Sequence, residues 1–209
     1  MAQRLRAGEL GGCAKFHLIY GDILSVALPD FLPKTKLKLV GNLPYNISTE
    51  VLFRIFDWRE HFSSLVLMVQ KEVADRIASG PGAKSYGTLS VWCQVNGRVG
   101  EKVNVSPEAF FPRPKVRSTI VKIELLSQPR VCPEDLVVLK GLVRAAFGQR
   151  RKTLSNAVSS WLMCGRDAVD GILSAQNVDP KRRGETLGVD EFIKLAQAIR
   201  LSGLQSAER

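Results

Sequence analysis

Val40-Gly41-Asn42-Leu43-Pro44-Tyr45-Asn46-Ile47-Ser48 (VGNLPYNIS, residues 40–48) decides how this chain is read. The apolar run from Leu37 to Val40 has the length and composition of a buried strand, and it ends on Gly41-Asn42. Thr49 to Phe56 then carries apolar residues at helical spacing with Ser48 as N-cap. Leu65 to Val69 is another buried strand, and Lys71 to Ala78 another helix. This alternation is that of an α/β sheet, in which ligands collect at the carboxyl ends of the strands, so Asn42 and Tyr45 fall at the ligand edge. Pro44 has no amide hydrogen and a fixed φ, which leaves the carbonyls of Leu43 and Pro44 to be aimed at a ligand. With the Asn42 side-chain carbonyl they form an acceptor cluster suited to an exocyclic amine, beside a Tyr45 ring on which a base can stack. From the residues alone, the same tetrapeptide is equally a turn with a core tyrosine.

Outward from this stretch, Phe16 to Tyr20 reads as an earlier strand that ends at Gly21-Asp22, a second small-polar pair at the same edge. Gly80-Pro81-Gly82 opens a polar loop running to Gly87. Val99 to Val105 and Thr119 to Leu125 alternate with period two and predict an antiparallel pair joined across Phe111 to Pro114. After Ser127-Gln128-Pro129 the pattern becomes helical, over Leu136 to Phe147, Thr153 to Leu162, Ala168 to Ala175 and Asp190 to Leu201. The reading is therefore an α/β domain over residues 1–128 and a helical domain over 129–209.

The chain has 209 residues, 45% of them hydrophobic, which is enough for a core and excludes a disordered or low-complexity protein. Its apolar runs are too short to cross a bilayer, and Met1 to Leu10 carries charges where a signal peptide needs an apolar core. Cys13, Cys93, Cys132 and Cys164 are scattered without a Cys-x-x-Cys pair and read as reduced thiols of a cytoplasmic protein. His17 and His61 have no metal-spaced partners, and Trp58, Trp92 and Trp161 read as core or boundary aromatics.

Charge is the unusual quantity. Thirty Lys and Arg against twenty Asp and Glu give +10, which points to a polyanion, either nucleic acid or an acidic membrane surface. Pro112 to Lys152 holds ten basic and three acidic residues and so supplies most of that excess. Arg113, Lys115 and Arg117 flank a stiff segment in which Pro112 and Pro114 present Phe110 and Phe111, and Arg150-Arg151-Lys152 sits at a helix break. Both clusters suit phosphate contacts, and a solvated basic face is the alternative. Lys181-Arg182-Arg183 reads as a solvated loop.

Asn42-Leu43-Pro44-Tyr45 after a strand resembles motif IV of methyltransferases that modify adenine N6. Together with Gln70 to Glu72 (QKE), Tyr86 to Val91 (YGTLSV), Ala109 to Val116 (AFFPRPKV) and Ala146 to Thr153 (AFGQRRKT), it makes the chain similar to the ribosomal RNA adenine dimethyltransferase family of the kasugamycin-sensitivity type. The resemblance runs in order from about Phe16 to Phe192. It implies a partial Rossmann-like S-adenosylmethionine-dependent methyltransferase domain followed by a small all-α RNA-binding domain. The activity implied is methyl transfer from S-adenosylmethionine to N6 of two adjacent adenines near the 3′ end of small-subunit rRNA. The resemblance also implies a cytoplasmic monomer that acts on the assembling small subunit, with no membrane and no metal. Asp22, with Ile23 beside it, matches the residue that accepts from the cofactor's adenine amine. Asn42 matches the residue between cofactor and target amine, and Leu43, Pro44 and Tyr45 complete the catalytic motif. Tyr45 matches the ring stacked on the flipped adenine, and Phe110 the aromatic on its other face. Phe111 departs from the family pattern and leaves open which of the two rings stacks.

The family's glycine-rich turn and the acidic residue after its second strand do not precede Phe16. Met1 to Leu5 looks like the helix after that acidic residue, so the chain resembles a member without its N-terminal portion. The alternative functions are a non-catalytic RNA-binding assembly factor and, more remotely, a DNA adenine methyltransferase.

Overall fold

The computed structural model describes residues 18–204. Four strands, β1 (Leu37–Asn42), β2 (Phe62–Gln70), β3 (Gly97–Val105) and β4 (Ser118–Leu125), form one sheet in the order β1-β2-β4-β3. β1 and β2 are parallel, whereas β4 is antiparallel to both β2 and β3. The predicted strands are all present in this set except Phe16 to Tyr20. Its residues 18–20 take no strand conformation, with Tyr20 88% exposed, and Phe16 and His17 lie outside the described residues. Cys13 and the Met1 to Leu5 helix lie outside them too.

Between the strands run α1 (Ser48–Asp57), α2 (Lys71–Ile77) and α3 (Thr88–Asn96). In α1 the buried Ser48, Val51, Leu52, Ile55 and Phe56 recur at helical spacing, which lays one face on the sheet. Ser48 is not the cap that its type suggested. Ile47 occupies the N-cap position, and the buried Ser48 hydroxyl donates instead to the Tyr45 carbonyl, at 3.3 Å. α3 carries no periodic signal in the sequence, because seven of its nine residues are buried and no exposed polar face gives a period.

The chain then enters α4 (Pro133–Gly148), α5 (Leu154–Leu162), α6 (Arg166–Ala175) and α7 (Val189–Leu201). Thr153 caps α5 by accepting from the Asn156 amide, and acidic Glu134 and Asp135 in the first turn of α4 suit its positive end. One apolar cluster runs without a break from Leu43 and Leu52 through Leu89 and Trp92 to Leu139, Leu142 and Phe192. Its bridge is aromatic: Tyr86 meets Phe147 edge-on at 5.6 Å between centroids, and Phe147 meets Phe192 at 5.8 Å. The Tyr86 hydroxyl donates to the Leu187 carbonyl at 2.9 Å, and burial, with Glu191 adding to it, pushes the phenol up to about 12.

Two buried or half-buried ion pairs hold the helical part. Arg200 and Cys132 both donate to Asp135, which is 3% exposed. Burial by itself would raise that carboxyl, but the hydrogen bonds from Cys132 and Arg200 outweigh it and hold the group below its ordinary value. Arg182 grips Glu191 with two nitrogens, at 2.5 and 3.1 Å, so this arginine is a structural clamp and not part of a solvated cluster. The hydrogen bond from Arg182 outweighs burial, and with the Gly188 amide it lowers the Glu191 carboxyl. Gly184 packs where a Cβ would stand 2.6 Å from the Ala146 Cβ and 3.0 Å from its carbonyl oxygen.

Two outcomes are expected. Gly184→Ala should lower stability by roughly 1–3 kcal/mol through overpacking, seen as a lower urea midpoint; an unchanged midpoint contradicts the packing. Both depressed carboxylates stabilise fully above their unfolded values, 3.8 for Asp135 and 4.5 for Glu191, and lose that contribution as pH falls through the native values. Urea midpoints followed from pH 7 to pH 3 should therefore drop on the acid side, and Glu191→Gln should flatten that limb.

Candidate active site

The Asn42–Ile47 turn is built on the end of β2. The Leu43 amide donates to the Met68 carbonyl at 3.1 Å, and the Leu43 side chain is buried in the core, so it anchors the turn. Asn42, the last residue of β1, is exposed beyond that anchor. The Pro44 carbonyl is not left free as the sequence suggested, because it accepts from the Ile47 amide at 3.2 Å. A carbonyl has a second lone pair, and the Leu43 carbonyl accepts no backbone hydrogen bond among the described residues, so the acceptor cluster keeps its capacity. Tyr45 is half-buried and not a core tyrosine, and its hydroxyl lies 2.6 Å from the Ser118 hydroxyl.

The proline segment arrives at the same place. Ser118 begins β4 opposite Gln70, and the Lys71 amide donates to the Arg117 carbonyl at 2.9 Å. Ahead of it, Ser106 caps a short 3-10 turn at Pro107–Ala109, and the Phe111-Pro112 peptide is cis. Phe110 is half-buried whereas Phe111 is wholly exposed. The fold thus holds Phe110, the ring that matches the family motif, and leaves Phe111 to solvent.

Asp22 starts a turn in which its carbonyl accepts from Ser25 and Val26 and its Oδ1 accepts from the Leu24 amide at 2.9 Å. Its other carboxylate oxygen has no hydrogen-bond partner among the described residues, which fits an acceptor for an exocyclic amine. Ile23 packs against the core beside it, and Arg54 of α1 donates to the Val26 carbonyl at 3.2 Å, tying this turn to the helix behind Asn42.

The basic residues divide into two groups. Arg113 pairs with Glu108 at 2.9 Å, and Arg150 pairs with Glu185 and donates to the Lys84 carbonyl, both at 3.2 Å. Lys115, Arg117, Arg151 and Lys152 are exposed and make no ion pair among the described residues. A cleft of about 670 Å³ opens over the first turn of α1, lined by Thr49, Glu72, Lys84, Tyr86, Phe147 and Arg150 among others. No local pattern signals this cleft, because its walls come from separate stretches that only the aromatic bridge and the Arg150 contacts bring together.

In structure, the chain is similar to a dimethyladenosine transferase from Plasmodium falciparum, with TM-score 0.79 and 24% identity over 97% of this chain and 78% of that one. It is also similar to the 23S rRNA methyltransferase ErmE, with TM-score 0.66 and 19% identity over 95% and 78%. The chain shares the fold of these two proteins, a Rossmann-like α/β sheet followed by helices. Residues 1–195 match the family described as Ribosomal RNA adenine dimethylase. The ribosomal RNA small subunit methyltransferase A of Syntrophotalea carbinolica is 46% identical over 179 residues, which span 86% of this chain and 67% of that protein. Its counterpart in Geobacter metallireducens is 42% identical over 193 residues, spanning 90% and 70%. The chain belongs to the ribosomal RNA adenine dimethylase family.

The Arg150 contacts should be measurable in the free protein. Gly82 donates its amide to the Glu185 carbonyl at 2.8 Å beside the Arg150–Glu185 pair, so Arg150→Ala should speed hydrogen exchange at Gly82 to Tyr86 while leaving β2 unchanged. Unaltered exchange in that loop would show that Arg150 does not secure it.

Proposed function

We propose that the chain transfers methyl groups from S-adenosylmethionine to N6 of two adjacent adenines near the 3′ end of small-subunit rRNA, with Asn42, Leu43, Pro44, Tyr45 and Phe110 as the target-base site. The observation that carries this reading is the Asn42–Tyr45 turn, in which an exposed asparagine, unspent carbonyl lone pairs and a half-buried ring are fixed to the end of the central strand. Family membership supports it, and no observation favours the non-catalytic assembly factor.

The chemistry assigns limited work to the protein. Adenine N6 is a poor nucleophile because its lone pair is delocalised into the ring. Asn42 Oδ1 and the second lone pair of the Pro44 carbonyl accept the two N6 hydrogens, which favours a pyramidal nitrogen with a localised lone pair. Tyr45 and Phe110 hold the base plane, so most of the acceleration comes from orientation and fixed dipoles. S-adenosylmethionine, when bound, supplies an already activated sulfonium methyl. Asp22 and Ile23 would hold its adenine and Asn42 would face its reactive end. No side chain is needed as a general base, since the proton released from nitrogen passes to water.

In this reading residues 1–128 form the methyltransferase part and 129–209 the RNA-binding part. Lys115, Arg117, Arg151 and Lys152 contact phosphates, with Arg113 and Arg150 at the rim of the same surface. Among the described residues no helix is long and apolar enough to cross a membrane. The protein acts as a cytoplasmic monomer on the assembling small subunit.

Asn42→Ala should cut tritiated-methyl incorporation into small ribosomal subunits by roughly 100-fold while RNA affinity stays within about twofold. Unchanged turnover overturns the assignment.

A further inference from the structure

We propose that Ser118 is a positioning residue for the methyl-transfer site, acting through Tyr45. The proposal rests on the reading of Tyr45 as the ring that stacks on the target adenine. Ser118 is fully buried at the first position of β4, and its hydroxyl lies 2.6 Å from the Tyr45 hydroxyl across 73 residues of sequence. Its backbone is pinned on both flanks, to Gln70 of β2 and to Val105 of β3. The serine oxygen is therefore a fixed point.

A tyrosine ring turns about two side-chain torsions, and a half-buried one keeps some of that freedom on its open side. Holding the hydroxyl at the far end of the ring fixes the direction of the Cβ–Oη axis, and because a phenolic O–H keeps to the ring plane, a fixed partner oxygen also narrows rotation about that axis. Packing of Leu43 and Ser48 on either side of the turn fixes the near end. Ser118 also closes the segment that carries Phe110, so the one hydrogen bond ties together the two elements expected to face opposite sides of the base. This sets ring orientation before the base arrives, which is preorganisation paid in the folded protein. The bond is charge-neutral, so its contribution lies in geometry.

Removing the Tyr45 hydroxyl leaves the buried Ser118 hydroxyl without its partner, and removing the Ser118 hydroxyl frees the far end of the half-buried Tyr45 ring. Ser118→Ala and Tyr45→Phe should therefore each lower kcat for methyl transfer to small subunits by about tenfold, with KM for the subunit within about twofold. The double variant should be no worse than either single one, because both remove the same bond. Tyr45→Phe keeps the ring and its packing, so it answers the question if Ser118→Ala folds poorly. Multiplying losses in the double variant, or a kcat unchanged in both single ones, overturns the proposal.

A second measurement needs no methyl donor. A hairpin RNA with 2-aminopurine at the target position should be strongly quenched when bound by the wild type and less quenched by Ser118→Ala and Tyr45→Phe at saturating protein. Quenching lost in these variants supports the role of Ser118 even if the wild type does not turn over, a result that would count against the proposed activity alone. Quenching equal to wild type in both variants overturns the role.

Discussion

Everything at the candidate site depends on β2 being paired on both edges. Leu65, Leu67 and Val69 are fully buried along one face of this strand, with β1 parallel on one side and β4 antiparallel on the other. A strand so enclosed has almost no freedom to slip, since a shift of one residue would turn its apolar set away from the core. Its last residues, with the first residue of α2, then serve as a reference for two other segments. Met68 receives the Leu43 amide, Gln70 faces Ser118, and Lys71 holds the Arg117 carbonyl. The asparagine, the tyrosine and the proline segment are placed by backbone hydrogen bonds to one rigid element, which is a more accurate support than a loop of the same length.

The positive charge is put to two uses. Arg182 and Arg200 lock acidic partners inside the helical part, and Arg150 joins that part to the loop before α3. Lys115, Arg117, Arg151 and Lys152 keep their charge exposed. Composition counts these groups alike, and only the positions of Glu185, Glu191 and Asp135 separate them. Clamps formed by half-buried arginines respond weakly to salt, whereas the fields of exposed charges are screened by it.

Features with a short range in sequence were legible beforehand. The apolar run before Gly41-Asn42, the period-two pairs around the proline segment and the helical spacing after Pro129 all correspond to observed elements. α3 is hidden because burial on all sides erases periodicity, and Ser48 is not a cap because its hydroxyl donates locally to the Tyr45 carbonyl three residues back. Ser118 gave no signal at all. A serine at the start of a strand is unremarkable until a tyrosine far away in sequence is found against it. The same holds for Phe110 and Phe111, neighbours of one residue type that differ only in the fold, the first half-buried and the second exposed.

The aromatic bridge has a consequence for how this protein can be divided. Secondary structure changes character near Pro129, yet Tyr86 of the sheet-bearing part gives its hydroxyl to Leu187 and its ring edge to Phe147. Cutting the chain at the change of pattern would leave a phenol without its acceptor and an apolar wall facing water. The two parts are thus not interchangeable modules. A helical region grafted from a distant relative would have to bring its own matching aromatic and carbonyl, so the sequence of the helical part and that of the loop before α3 constrain one another.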